Sequence, residues 1–176
     1  PLAPVKDAVT ADGDVVVPAE IEGRPVVAIS DSAFRHRWDV RGITLPDSIV
    51  SIGQMSFEMC QSLTNVTFGS GLVEIGYSAF SHCYQLPSIV LPDSVLQVGG
   101  SAFDGCRGMT NVILGNAIQQ IGTWAFSECT NLPSIWIPAS VTNIGAQAFD
   151  SCGSLTHIEV SLGNSHYTSL DGVLCN

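Results

Sequence analysis

The sequence predicts an α/β repeat solenoid, a chain wound coil upon coil with strands stacked along one side and short helical segments elsewhere. Three observations predict it. Phe34, Phe57, Phe80, Phe103, Phe126 and Phe149 recur every 23 residues without slippage. The same shift carries Cys60 onto Cys83, Cys106, Cys129 and Cys152, and Gly53 onto Gly76, Gly99, Gly122 and Gly145. Within each copy, a helix-like spacing of apolar residues is followed by a strand-like one. Strict register over six units marks a repeat array, in which each unit is sealed from water by its neighbours.

Residues 1–12, rich in Pro and Ala and without periodicity, read as a linker or frayed N-terminus. Residues 13–176 are then a single domain. Val15-Val16-Val17-Pro18 reads as a strand, and Glu22-Gly23-Arg24-Pro25 carries turn residues. Pro18 to Ile29 spans 11 positions where Pro46 to Ile52 spans 6, so the first unit holds five extra residues. Residues 13–30 are therefore expected to form an N-terminal cap, because an end unit must face water on one side. The unit that follows keeps Phe34 but has Arg37 where later units have Cys, as suits a partly covered outer coil. His36 beside it reads as a solvated side chain.

Residues 31–160 are the repeats proper. Ala79, Phe80, Cys83 and Leu86 fall at offsets of one, four and seven, which predicts one face of a short helix. Ile89 and Leu91 follow at a spacing of two, as inward-pointing residues of a strand. Pro92 closes that strand, as Pro46, Pro138, Gly69 and Gly115 do in other copies. Val95 and Val98 then turn the chain back along the far side. Alternate copies match best: Leu63-Thr64-Asn65-Val66 with Met109-Thr110-Asn111-Val112, and Leu86-Pro87-Ser88-Ile89 with Leu132-Pro133-Ser134-Ile135. This super-period suggests duplication of a pair of units. Residues 161–176 read as a loop and a strand-like tail, either a C-terminal cap or the start of further repeats.

Charge excludes some partners. The net charge is −10, and residues 1–41 hold five of the six basic side chains. From residue 42 onward only Arg107 opposes nine acids. A surface this acidic argues against nucleic acid and against anionic membranes, and is explained by solubility alone. No stretch approaches the roughly 20 apolar residues of a membrane span. The chain opens Pro1-Leu2 without a Met, as expected of a processed or excised fragment.

Chemistry finds little support. Five of the six cysteines share one position per coil and should stack in the core as free thiols, since parallel side chains have poor torsion geometry for a bridge. Cys175 lies apart from that column and is a candidate for pairing or reactivity. No C-x-x-C pair or His cluster suggests a metal, and none of the nucleophile-elbow, zinc-protease or phosphate-loop motifs occurs. His82 abuts Cys83, but adjacent residues on a helix face different ways. The expectation is no enzyme, no cofactor and no metal.

The informative positions are strand residues that point away from the core. Thr44, Thr67, Val90, Ile113, Trp136 and Glu159 form one column, and Gly42, Asn65, Ser88, Asn111, Ser134 and His157 a second. A solvent-facing run of Val90, Ile113 and Trp136 suits a binding patch, and Trp is typical of binding hot spots. Strand propensity alone would also favour Thr, Val, Ile and Trp there.

A unit of the form L-x-x-[IV]-x-[LIF]-[PG]-x-x-[VIL]-x-x-[IV]-G-x-x-[AS]-F-x-x-C, with the stretch N-x-x-Y-x-S-x-D-G-V-L at Asn164 to Leu174, resembles the BspA-like class of leucine-rich repeat proteins. The resemblance implies a curved right-handed coil with a parallel sheet on its concave face, on secreted or surface-exposed proteins, largely of bacteria that colonise animal hosts. Some members are similar to adhesins. In such a protein the acceptor pattern Asn65-Val66-Thr67 carries no implication of glycosylation. The expected function is a monomeric, non-enzymatic extracellular module. It would bind a host or cell-surface protein or glycan through the concave sheet at Trp136, Ile113, Val90, Thr67, Glu159, Asn65, Ser88, Asn111, Ser134 and His157. The alternative is a spacer or stalk segment with no ligand of its own.

Overall fold

The computed structural model describes residues 10–176, so most of the linker expected over residues 1–12 lies outside the described residues. Strands are numbered β1 to β17 in chain order. One side of the solenoid carries β1 (Asp14–Val16), β5 (Gly42–Thr44), β7 (Asn65–Thr67), β9 (Ser88–Val90), β11 (Asn111–Ile113), β13 (Ser134–Ile137) and β15 (His157–Val160), the main sheet. A second sheet stacks β4 (Ala28–Ile29), β6 (Ser51–Ile52), β8 (Glu74–Ile75), β10 (Gln97–Val98), β12 (Gln120–Ile121) and β14 (Asn143–Ile144). All these pairings are parallel, and apart from β1 with β5, which pair across the insertion, partners lie one period apart, as Ile52 with Ile75 and Ile43 with Val66.

The extra residues of the first unit form a hairpin of β2 (Glu20–Ile21) and β3 (Arg24–Pro25). Its turn residues Glu22 and Gly23 have φ of 51° and 74°, the left-handed pair that a two-residue hairpin requires. At the other end β16 (Thr168–Leu170) and β17 (Val173–Cys175) make a second hairpin through Asp171 and Gly172, at φ 50° and 82°. The strand-like tail read from the sequence is thus antiparallel and turned back on β15, where Ile158 donates its N–H to the carbonyl of Gly172 at 2.8 Å.

The expected short helices are absent among the described residues; each such segment is a run of tight turns. Every fourth residue there takes positive φ, as Ser78 (52°) and His82 (58°) do in one coil and Ser101 (52°) and Gly105 (70°) in the next. Alternate amides bond within the turn, such as Ser81 to Ser78 at 3.2 Å. The others reach the next coil, as Ser78 to Gly100 (2.9 Å), Phe80 to Ala102 (2.8 Å) and His82 to Asp104 (2.7 Å) do. A helix would spend all its amides on itself; here half of them join the coils. Left-handed residues recurring at a spacing of four reproduce a helical apolar pattern without a helix.

Side chains pointing inward form one continuous core. The six phenylalanine rings stack with centroids 5.0–5.9 Å apart and planes within 12° of parallel. Phe34 to Phe126 are buried, while Phe149 at the end of the stack is half-buried. Alongside runs the cysteine column, free and unbridged. Each thiol donates to the phenylalanine carbonyl of the preceding coil, Cys60 to Phe34 at 3.1 Å and Cys106 to Phe80 at 3.2 Å. Burial pushes the Cys60 thiol up to about 12 and those of Cys83 and Cys106 well above the ordinary value.

The two-coil super-period has a structural basis. At the position before each main strand, Thr64, Thr110 and Thr156 donate N–H groups to the carbonyls of Arg41, Pro87 and Pro133 at 2.8–3.0 Å. Pro87 and Pro133 have no N–H to give to Thr64 and Thr110 in return. The main-sheet ladder accordingly runs β1-β5-β7, then β9-β11, then β13-β15, with no pairing across the proline steps, whereas the second sheet is continuous from β4 to β14. Proline and glycine also alternate where the strands end. A Cβ on Gly69 would stand 2.2 Å from the carbonyl oxygen of Pro46, and one on Gly115 the same distance from that of Pro92. Only glycine fits against the proline beneath it.

Candidate functional site

The main sheet presents its outward residues in the two columns read from the sequence. In the first, Thr44 is in register with Thr67, Val90 with Ile113 and Trp136 with Glu159. In the second, Gly42 pairs with Asn65, Ser88 with Asn111 and Ser134 with His157. Strand alternation produces this arrangement: Ile89, Val112 and Ile135 are buried while their neighbours on either side are exposed.

Val90, Ile113 and Trp136 are 58%, 49% and 43% exposed and occupy successive coils. The unpaired step between β11 and β13 falls inside this run, between Ile113 and Trp136. Two members of the second column are already engaged. Gly42 is buried, and a Cβ there would lie 2.4 Å from Oδ1 of Asp14, whose carboxylate covers it. His157 packs against Gly172 of the end hairpin and its Nδ1 is 2.8 Å from the hydroxyl of Thr156. Asn65, Ser88, Asn111 and Ser134 remain open to solvent between them.

The column also extends one strand further than the sequence reading placed it. Val16, in register with Thr44, is exposed, but the five inserted residues hide its place in the period. Exposed apolar residues also occur away from the main sheet: Val27, Val50 and Leu96 lead into strands of the second sheet, and Tyr77 and Trp124 stand in the turns that follow it. Tyr77 lies over Gly100, where a Cβ would be 3.3 Å from its ring, and Trp124 donates its indole N–H to Gln147 at 2.9 Å. The same period locates these positions, in the stretch that returns the chain between the sheets.

Charged groups of the turn segments are mostly paired. Arg107 bonds Glu128 at 2.7 Å and lies 5.5 Å from the ring centre of Tyr84, Arg37 holds Asp39 through two bonds of 2.8 Å, and Arg35 bonds Glu58. The Arg37 guanidinium keeps the Asp39 carboxyl below its usual range. Burial pushes Asp104 up, opposed by the Ser127 hydroxyl and His82. Among the described residues no group of three His, Cys, Asp or Glu side chains is placed to hold a metal. Among the described residues no helix is long and apolar enough to cross a membrane. Cys83 is fully buried with its thiol on the carbonyl of Phe57, so His82 and Cys83 do not form a pair open to substrate.

Comparison with known proteins places this geometry. The model of the BspA type leucine rich repeat region matches residues 27–156 in 6 copies. Among solved structures, the chain is similar to the leucine rich repeat protein of T. pallidum, with 34% identity and a TM-score of 0.81 over 83% of this chain and 68% of that one. It is similar to a leucine rich cell surface protein of Faecalibacterium prausnitzii at 26% identity and a TM-score of 0.78, over 92% of this chain and 50% of that one. It also resembles the pneumococcal vaccine antigen PcpA at 28% identity and a TM-score of 0.83, over 92% of this chain and 43% of that one. The chain therefore spans half or less of the length of the last two. No curated protein matches it.

Proposed function

The chain belongs to the BspA type of leucine-rich repeat proteins, and from that premise we propose that it is a non-enzymatic interaction module of a bacterial cell-surface protein. It works outside the cell and holds a host or cell-surface protein or glycan on its main sheet. One observation carries the reading: Val90, Ile113 and Trp136 form a contiguous exposed apolar column on that sheet. Exposed apolar surface of this kind is unusual in a solvated domain without a use. The open amides and hydroxyls of Asn65, Ser88, Asn111 and Ser134 beside it supply the polar contacts that orient a partner.

The test is a screen of the purified chain against arrays of host-matrix proteins and glycans, repeated with Trp136→Ala. A partner that is bound by the parent and lost by the variant, with the thermal melt unchanged, supports the reading. Absence of any partner, or equal binding by the variant, favours a spacer that presents neighbouring domains.

A further inference from the structure

A second candidate site lies at the N-terminal end, on the edge where the first coil's turns enter the main sheet. There Thr10, Asp12, Trp38, Asp39, Arg41 and Ser62 line a shallow depression. Trp38 is the most exposed of the three tryptophans, at 65%. It stands about four coils from Trp136, or roughly 20 Å at the usual strand spacing of about 4.8 Å.

Three of the residues around this ring, Thr10, Asp39 and Arg41, are anchored by the fold. Gly13, at φ +87°, turns the chain so closely that a Cβ there would meet the carbonyl oxygen of Asp39 at 2.4 Å and Cγ of Arg41 at 3.1 Å. The stem of Arg41 thus rests on the bare Cα of Gly13, and its amide donates to the Gly13 carbonyl at 2.7 Å. Arg37 clamps the carboxylate of Asp39 through both oxygens. Thr10 is fixed as the acceptor of the Asp14 amide at 3.1 Å. Arg41, by contrast, has no carboxylate within salt-bridge distance among the described residues. Arg24 is likewise without a carboxylate partner among the described residues, but only Arg41 of the two lines a depression together with an exposed indole.

An exposed indole bordered by polar donors and acceptors suits a pyranose. Its C–H face stacks on an aromatic ring, and its hydroxyls both give and accept hydrogen bonds at the edge. We propose that this depression binds a neutral sugar ring of a glycan, with Trp38 stacking on the ring, Arg41 donating to ring or hydroxyl oxygens, and Asp12 accepting from hydroxyls. The site is separate from the main-sheet column and stands whether or not that column binds anything.

The three indole N–H resonances of the intact chain report on it directly, with Trp38→Phe identifying the Trp38 signal. The probes are the methyl glycosides of glucose, galactose, mannose and N-acetylglucosamine, with methyl glucuronide as the charged control. At least one neutral glycoside should move the Trp38 resonance saturably with millimolar affinity, leaving the Trp136 resonance in place. Arg41→Gln should weaken that binding roughly tenfold or more, and Trp136→Ala should leave it unchanged. No shift of Trp38 with any neutral glycoside, binding only by the glucuronide, or full affinity in Arg41→Gln would each overturn the proposal.

Discussion

Thr110 closes on the carbonyl of Pro87 twice, through its N–H at 2.8 Å and its hydroxyl at 3.2 Å, while Pro87 can return no such bond to Thr64 one coil earlier. Replacing Pro87 by Thr restores the missing donor. We expect the main-sheet ladder to close between β7 and β9, with a new slowly exchanging amide at position 87 in hydrogen-exchange NMR. The added bond contributes about 1 kcal/mol, partly offset by the freer unfolded chain. If the amide at 87 exchanges at the rate of a solvent-exposed residue, the proline is not the cause of the gap.

The thiols should divide by position. Cys60, Cys83, Cys106 and Cys129 are buried, and burial holds their protons on well above neutral pH. Cys175, in the end hairpin and only half-buried, should be alkylated first by iodoacetamide in the folded protein. Mass spectrometry of the labelled protein would check the order. Labelling of Cys83 or Cys106 before unfolding contradicts the stacked column.

Truncating the phenylalanine stack at its middle and at its end should cost different amounts. Phe103 is fully buried between two parallel rings at 5.3 and 5.4 Å, so Phe103→Ala should destabilise by about 3–5 kcal/mol. Phe149 has a ring on one side only and is half-buried, and Phe149→Ala should cost roughly half as much or less. Urea unfolding measures both. In an array held by nearest-neighbour contacts, the Phe103 variant should also unfold in a broader or two-step transition.

Asp104 gives a pH dependence with a definite sign. Burial raises its carboxyl in the folded chain above the ordinary 3.8, with the Ser127 hydroxyl and His82 opposing. Stability tied to this proton is full below the ordinary value and is lost as pH rises through the raised one. Asp104→Asn should therefore gain on the parent as pH rises from acid to neutral. Melting temperatures of the two proteins across that range would show it, and a gap that narrows instead would refute the sign.

The coil architecture was legible because Phe34 to Phe149 and their glycine and cysteine companions keep one interval, and stacking follows from equal spacing. Turns stand where the spacing predicts a helix, for a definite reason. Apolar residues at offsets of one, four and seven are compatible both with a helix and with turns that go left-handed at Ser78 and His82. Residue type gives no clue at those points, since Met55, Met59, Trp124, Glu128 and Gln147 take the left-handed conformation as Ser78 and Gly105 do. The outward columns were legible for the same reason as the core, except at Val16, where inserted residues break the count. The depression at Trp38 was not, because it joins three segments across the edge of the array and no periodicity links Asp12 to Ser62.

Bonding between coils is unbroken along β4 to β14 and twice interrupted along the opposite side. Such a body should bend like a strip scored on one surface, yielding first at the Thr64–Pro87 and Thr110–Pro133 steps, where only the turns and the second sheet bond coil to coil, and opening like a book whose spine is the second sheet. The plates then hold three, two and two strands of the main sheet, β1-β5-β7, β9-β11 and β13-β15, and the spacing between them on that side can change with every plate left internally intact.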